Sequence, residues 1–350
     1  MVGMRDVAKT AGVSLSTVSL VVNNTGYVSD DMRAKVEAAM RQLNYIPNEL
    51  ARNLYRNRTN TIGVIMPTIA HPFFATLTAH LQREFAARDL KTLLCSIADA
   101  DKGEGEYVDM LQRHMMDGIV MAAHTEHPGG YWTSIHRPIV AFDRTLGEGV
   151  PAVRSDHEQG GRLIARQLID SGARHVVLVG GPRSQFAEAT TFPTIRYHLT
   201  VERMLADAGI ACDYVEAGIV ADICAHEATA RAIFERYSDV DAIVGSDLVA
   251  SVALQEALRR GISVPRNLQI IAYDGTFMAE TAGMRLTAVR QDFPAVAAAL
   301  ASRMDSQIAA DNGTTSAAAA EGGNAVVANG GQSTSEDIIS VTLIPGETTR

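Results

Sequence analysis

Cysteine is scarce in this chain: three residues in 350, at positions 95, 212 and 224. An odd count without CxxC or zinc-ligand spacing excludes a disulfide framework and a cysteine-rich metal site. It points to buried or half-buried thiols in a reducing compartment. Long apolar runs are also missing. None approaches the ~18 residues a membrane span needs, and no apolar segment follows the opening Met-Val-Gly-Met-Arg as a secretory leader requires. The expectation is a soluble, cytoplasmic protein. Common enzyme signatures are absent too: no GxGxxG opening a helix after a strand, no Walker loop, no GxSxG elbow, no HExxH pair. Gly103-Glu104-Gly105-Glu106 is glycine-rich, but its carboxylates repel phosphate and fit a polar turn before a helix. Neither an enzyme nor a metal or cofactor protein is expected.

Positive charge is in deficit, with 31 Lys/Arg against 40 Asp/Glu and a net charge of −9. The deficit is unevenly spread. Residues 1–60 carry eight Lys/Arg and five Asp/Glu, so a mildly basic head precedes an acidic body. That asymmetry suits phosphate contact at one end only.

What is present in the head is a patterned stretch from Met4 to Asn23 with the form of a helix-turn-helix. Val7, Ala8 and Ala11 give the first helix a narrow apolar face, Gly12 permits a tight turn, and Ser14 can cap the next helix. Ser16, Thr17 and Ser19 supply short polar side chains that fit a major groove. An ordinary helical hairpin opening a domain would look much the same. Beyond it, Ser29, Asp30 and Asp31 suit a helix N-terminus, and Val36, Ala39, Met40 and Leu43 recur at helical spacing to close a three-helix core. Pro47 stops that helix. Asn48 can cap a two-turn segment, Asn48–Leu54, too short to be stable unless something holds it.

Asp6-Val7-Ala8, Ala11-Gly12-Val13-Ser14, Thr17-Val18-Ser19, Asn23, Val28-Ser29, Leu43-Asn44-Tyr45, Pro47-Asn48 and Ala51-Arg52-Asn53-Leu54 follow one another in a fixed order and spacing. That block resembles the headpiece and hinge of the lactose-repressor/galactose-repressor (LacI/GalR-type) family of bacterial transcriptional regulators. The resemblance implies a homodimeric repressor on a pseudo-palindromic double-stranded operator, controlled by a small ligand, most simply a sugar or sugar derivative. It places Leu15, Ser16 and Leu20 at base edges and Ser14, Thr17, Ser19, Asn23 and Tyr45 on phosphates. Asn48 and Ala51 belong to a hinge helix paired in the minor groove, with Leu54 wedged into the central base step.

The body alternates short apolar runs with amphipathic stretches. Strands are expected at 61–66, 92–95, 118–121, 139–142, 175–179, 242–245 and 269–273, with helical patterns between them. Continuous apolar strands alternating with helices predict parallel sheets covered on both faces. The expected fold is thus α/β: a three-helix helix-turn-helix headpiece (1–47), a hinge helix and linker (48–60), and an effector-binding and dimerisation domain (61–350). The last comprises two doubly wound parallel-sheet subdomains of periplasmic-binding-protein type. One takes in about 61–155 and 290–310, the other about 156–289 and 338–350. Asp311–Glu336 has no aromatic residue, Lys or Arg and is expected as a flexible loop, with Ile338–Pro345 as a last strand.

Ligands of such sheets sit outside the carboxyl ends of the strands. The residues there are Phe73 and Phe74 after the first strand, Asp143-Arg144 after Ile139–Phe142, Ser246 after Ala242–Gly245, and Asp274 after Gln269–Tyr273. By resemblance these line the effector cleft, with Asp274 as an ionised carboxylate accepting bonds from sugar hydroxyls. An arginine followed three residues later by a glycine is implied in 194–208. Arg196 is the candidate, and the glycine is absent. His71 reads as an exposed turn residue. Two other functions stay open: a family regulator that answers to a partner protein, and a sugar-binding transport protein, which residues 1–54 disfavour.

Overall fold

The computed structural model describes residues 2–47, 53, 58–98, 103–123, 127–186, 192–218, 220, 222–320 and 336–350. It divides into two compact units, 1–59 and 60–350.

The first unit is a three-helix bundle: α1 (Met4–Ala11), α2 (Leu15–Asn23) and α3 (Asp30–Gln42). Gly12 takes the left-handed conformation (φ 67°) that ends α1, and Asn24 does the same for α2 (φ 52°). Ser14 and Ser29 cap α2 and α3 through their hydroxyls. Val7, Val18 and Val36 are fully buried and meet in a core completed by Ala8, Val21 and Ala39.

The second unit holds two six-stranded sheets. The first has the order β11-β5-β4-β3-β1-β2, all parallel: β1 (Thr61–Met66), β2 (Lys91–Ser96), β3 (Gly118–Met121), β4 (Ile139–Phe142), β5 (Ala152–Ser155) and β11 (Glu336–Ile339). The second has the order β12-β10-β9-β8-β6-β7: β6 (His175–Gly180), β7 (Ala211–Glu216), β8 (Ala242–Ser246), β9 (Gln269–Asp274), β10 (Thr287–Gln291) and β12 (Val341–Ile344). Only the β10–β12 pair is antiparallel among the described residues. The central strands β1, β3, β4, β6, β8 and β9 are buried almost throughout because helices cover both faces. The covering helices are α4 (Pro72–Ala86), α5 (Gly105–Gln112), α6 (His157–Asp170), α7 (Ile195–Asp207), α8 (Ile223–Arg236), α9 (Asp247–Arg259) and α11 (Phe293–Ala320), with a short α10 (Phe277–Thr281) beside them.

Three corrections concern the C-terminal part. Asp311–Glu336 is not a loop from its start: α11 continues to Ala320, and 321–335 fall outside the described residues. Ile338–Pro345 is not one strand but two. β11 joins the first sheet and β12 the second, so Ile338 and Ile339 do not belong to the second subdomain. Arg290 and Gln291 likewise sit in the second sheet, and the first subdomain resumes with α11, whose Phe293, Ala297 and Leu300 pack on the first sheet's core.

The chain therefore passes between the sheets three times, after β5, after β10 and after β11. The crossings are tied to one another. Ser155 donates from Oγ to Gln291 Oε1 at 2.6 Å, Asp156 N donates to Ile339 O at 2.7 Å, and Val341 N donates to Gln159 Oε1 at 3.0 Å.

Candidate functional site

In the first unit, the capping of α2 fixes which side chains project. Ser14 Oγ accepts from Thr17 N at 3.1 Å and bonds the hydroxyls of Ser16 and Thr17 at 2.7 and 2.8 Å. Val18 and Val21 turn into the core, which leaves Leu15 and Leu20 outward at 44% and 36% exposure, with Ser16 beside them. At ~100° per residue the two leucines stand about 140° apart around α2, each exposed singly. Ser19 is half-buried and accepts from Asn23 Nδ2 at 3.2 Å, and Tyr45 packs half-buried against the headpiece core. Asn48, Ala51 and Leu54 lie outside the described residues.

In the second unit, a cavity of about 200 Å³ lies between the two sheets at the carboxyl ends of their strands. Phe73, Phe74, Asp143, Arg144, Ser246 and Asp274 line it. Phe73 and Phe74 stand edge to face with ring centroids 5.1 Å apart, and Phe142 stacks on Phe73 at 5.9 Å, giving the first-sheet wall an aromatic surface. Ser246 caps α9 by accepting from Val249 N at 3.4 Å.

Asp143 and Arg144 are not a surface ion pair. Both are buried, and Asp143 adopts a left-handed φ of 50° that turns its carboxylate inward. Its Oδ1 meets His157 Nε2 at 2.7 Å, and its Oδ2 accepts from Thr194 Oγ1 across the cleft. His157 Nδ1 in turn meets the Tyr273 hydroxyl at 2.7 Å, so one buried chain of polar contacts joins β4, α6, α7 and β9. Burial pushes the Asp143 carboxyl up, but the charge and hydrogen bond of His157, with Arg144 and Thr194, outweigh it and hold it at about 2. Burial brings the Arg144 guanidinium down to about 10, which leaves it charged at neutral pH. Arg144 donates to Ala123 O at 3.2 Å, Ala122 O at 3.3 Å and Asp143 O, and lies 4.7 Å from the centre of the Phe192 ring.

Asp274 corrects an expectation. It lines the cavity and accepts from Gln291 Nε2 at 2.9 Å, but burial and the neighbouring Asp247 push its pKa well above the usual carboxylate range. Asp247 accepts from Gly275 N at 3.0 Å and Thr276 Oγ1 at 2.6 Å, and burial raises its own pKa to about 6. The Asp274 carboxyl thus favours its neutral form, which can donate as well as accept. Through Gln291 and Ser155 it is wired to two of the three crossings between the sheets.

Three further expectations change. Arg196 does not line the cavity: it points to Glu158, with Nη1 2.9 Å from Oε1, and Tyr197 occupies the wall, stacked on Tyr273 at 3.9 Å. α7 packs closely on α6 at a glycine of the latter. A Cβ on Gly161 would lie 2.6 Å from Tyr197 O and 2.7 Å from Thr200 Cβ, so that glycine permits the close approach of α6 and α7. His71 is buried, not exposed. It lines the cavity and caps α4 by accepting from Phe73 N at 3.3 Å, and burial together with His226 brings it down to about 4. Of the thiols, Cys95 is buried and Cys212 half-buried, but Cys224 is exposed.

Sequence reasoning did not single out His157, Thr194, His198 or His226. Thr194 and His198 lie within the segment that departs from the resemblance. His226 follows β7, whose half-exposed Ala-Cys-Asp-Tyr-Val-Glu gives no apolar run to mark a strand end.

No helix among the described residues is long and apolar enough to cross a membrane. Comparison with known proteins adds three findings. Residues 3–48 match the family described as bacterial regulatory proteins, lacI family, and residues 59–286 match periplasmic binding proteins and sugar binding domain of LacI family. The chain is 33% identical to the sucrose operon repressor of Streptococcus mutans over 294 residues, 84% of this chain and 89% of that protein. It is 34% identical to the ribose operon repressor of Bacillus subtilis over 278 residues, 78% and 82% of the two chains. Among solved structures, the lac repressor dimer bound to operator and an anti-inducer superposes with a TM-score of 0.78 at 21% identity, covering 99% of each chain.

Proposed function

From the premise that the chain belongs to the LacI family of bacterial regulatory proteins, we propose that it represses an operon for carbohydrate use and is released or engaged by a small sugar. It is a ligand-controlled DNA-binding repressor and not an enzyme. The observation that carries the sugar reading is the cavity between the two sheets, lined by an aromatic wall and by hydrogen-bonding groups at Asp143, Asp274 and Gln291. Relatives named for the sucrose and ribose operons support it.

On this reading the protein works in the cytoplasm as a homodimer, each headpiece laying α2 in a major groove. Leu15 and Leu20 make apolar contacts, such as with thymine methyl groups, and Ser16 bonds a base edge. Ser14, Thr17, Ser19, Asn23 and Tyr45 hold phosphates, and the hinge segment with Asn48, Ala51 and Leu54 enters the minor groove. Phe73, Phe74, Asp143, Arg144, Ser246 and Asp274 receive the effector. Ligand contact at Asp274 is felt at the crossings through Gln291 and Ser155, which sets the angle between the subdomains. The coupling expected between two such sites is ~1–3 kcal/mol and reciprocal.

The test is selection of bound duplexes from a randomised DNA pool by the full chain, followed by titration of the selected duplex with sugars. A two-fold symmetric site whose affinity shifts with one sugar is the expected result. Enrichment of no symmetric site would remove the dimeric-operator reading.

A further inference from the structure

Two side chains in the cavity wall are left without partners. His226, in the first turns of α8, is 5% exposed, and neither of its ring nitrogens has a hydrogen-bond partner. His198, on α7, is 4% exposed, and its Nδ1 is unpartnered. Both line the cavity. A buried polar atom without a partner is costly, and native structures keep few of them. His198 is also closely accommodated: a Cβ on Gly180 would lie 2.6 Å from its Nε2, so only glycine at the end of β6 leaves the imidazole its place. A group bound in the cavity can supply the missing partners.

The same wall is poor in available positive charge. Arg144 is its one arginine or lysine among the described residues. Each of its nitrogens already donates to a backbone carbonyl, and Asp143 stands beside it ionised. Arg196, the cation expected here, is turned away to Glu158. Burial keeps the imidazoles uncharged, His198 at about 3, His71 at about 4 and His226 below its ordinary value. A phosphate or carboxylate in this cavity would meet the Asp143 carboxylate, neutral rings and a single guanidinium whose nitrogens are already engaged. A hydroxyl suits them, because a neutral imidazole offers one donor and one acceptor, and a hydroxyl is both. The volume of about 200 Å³ is below the ~300–1,000 Å³ of drug-sized sites, which fits one sugar ring rather than two.

We infer that His226 and His198 are specificity-determining residues that hydrogen-bond ligand hydroxyls as neutral imidazoles, so that the cavity takes an uncharged monosaccharide and rejects its phosphate ester. The inference rests on the sugar reading proposed above.

Calorimetric titration of the full chain with D-ribose, D-fructose and D-glucose, each beside its terminal monophosphate ester, tests it. At least one free sugar should bind, and its ester should bind at least ~10-fold more weakly, the loss expected when a charge is desolvated without a partner. His226→Phe should weaken the bound sugar by ~5–10-fold, the worth of about one hydrogen bond, while its melting temperature stays level or rises. A merely structural histidine would lower the melting temperature instead. His226→Asn, which keeps a donor and an acceptor, should retain affinity within ~3-fold and serves if the phenylalanine variant does not fold. An ester that binds as tightly as its sugar overturns the inference and leaves the sugar reading intact. Unchanged affinity in His226→Phe, or equal losses in the two variants, overturns the role of His226. If no sugar and no ester binds, the sugar reading fails and this inference with it.

Discussion

Replacing Asp143 with asparagine should destabilise the second unit by about 2–4 kcal/mol at neutral pH. The magnitude follows from what the carboxylate holds. Its pKa of about 2, below the ~3.9 of a free aspartate, corresponds to stabilisation of the ionised form on the order of 2–3 kcal/mol. The substituted amide would keep one carbonyl acceptor and make the other position a donor, so the bond to His157 or Thr194 has to reverse its direction. Arg144 would keep its buried charge without the neighbouring anion. Because the pKa is depressed on folding, the contribution is complete above about pH 4 and lost as pH falls from there toward 2. Urea unfolding of both proteins at pH 7 reads the difference, and repetition down to the lowest pH at which both still fold reads its titration. The gap should be widest at pH 7 and narrow below pH 4. In a thermal melt it should appear as a drop of roughly 4–8 °C. An asparagine variant within about 0.5 kcal/mol of the parent, or a gap that does not narrow in acid, would show that the buried chain from Thr194 to Tyr273 is not held by this charge.

Arg196→Ala should leave sugar affinity within about 3-fold, since the guanidinium faces Glu158 in an exposed ion pair worth ~0–1 kcal/mol. A tenfold loss in titration would return that arginine to the site. Leu20→Ala should weaken binding to the selected operator by roughly 10-fold or more with little change in melting temperature, because Leu20 is 36% exposed and apolar. Equal operator affinity for the two proteins would exclude α2 as the reading face. Asp274→Asn should flatten the dependence of melting temperature on pH. The raised pKa means the folded state holds a proton that the unfolded chain releases above about pH 4, so stability declines as pH rises. The variant removes that decline while weakening sugar binding by roughly 5-fold or more. A decline as steep as the parent's would refute the protonated carboxyl.

The headpiece was legible residue by residue because its signals are local. A cap at Ser14, a left-handed glycine at Gly12 and apolar residues at helical spacing act within one or two turns, and the structure places each as its neighbours dictate. The parallel sheets were legible for the same reason. A strand buried on both faces must be apolar along its length, as Ile139–Phe142 and Ala242–Gly245 are, and the residues after it fall at the cleft wherever the sheet lies. Phe73, Asp143 and Asp274 were found by that rule together with the family resemblance.

Tertiary structure decided what depends on residues far apart in the chain. Edge strands such as Ala211–Glu216 bury only part of each face and leave no apolar run, so the strand end that leads to His226 on α8 went unread. Whether Arg196 or Tyr197 reaches the cavity turns on a ~100° step around α7, which is fixed by the packing of Gly161 against Thr200 and not by either residue's chemistry. The division of Ile338–Pro345 between two sheets depends on which edges, β5 and β10, stand open to receive it. The raised pKa of Asp274 is the clearest case. Nothing in Tyr-Asp-Gly states it, because it arises from burial and from Asp247, 27 positions earlier, brought alongside only when β8 and β9 pair. Local sequence sets which side chains a segment can offer, and the fold sets what surrounds them, which is where charge and hydrogen bonding are decided.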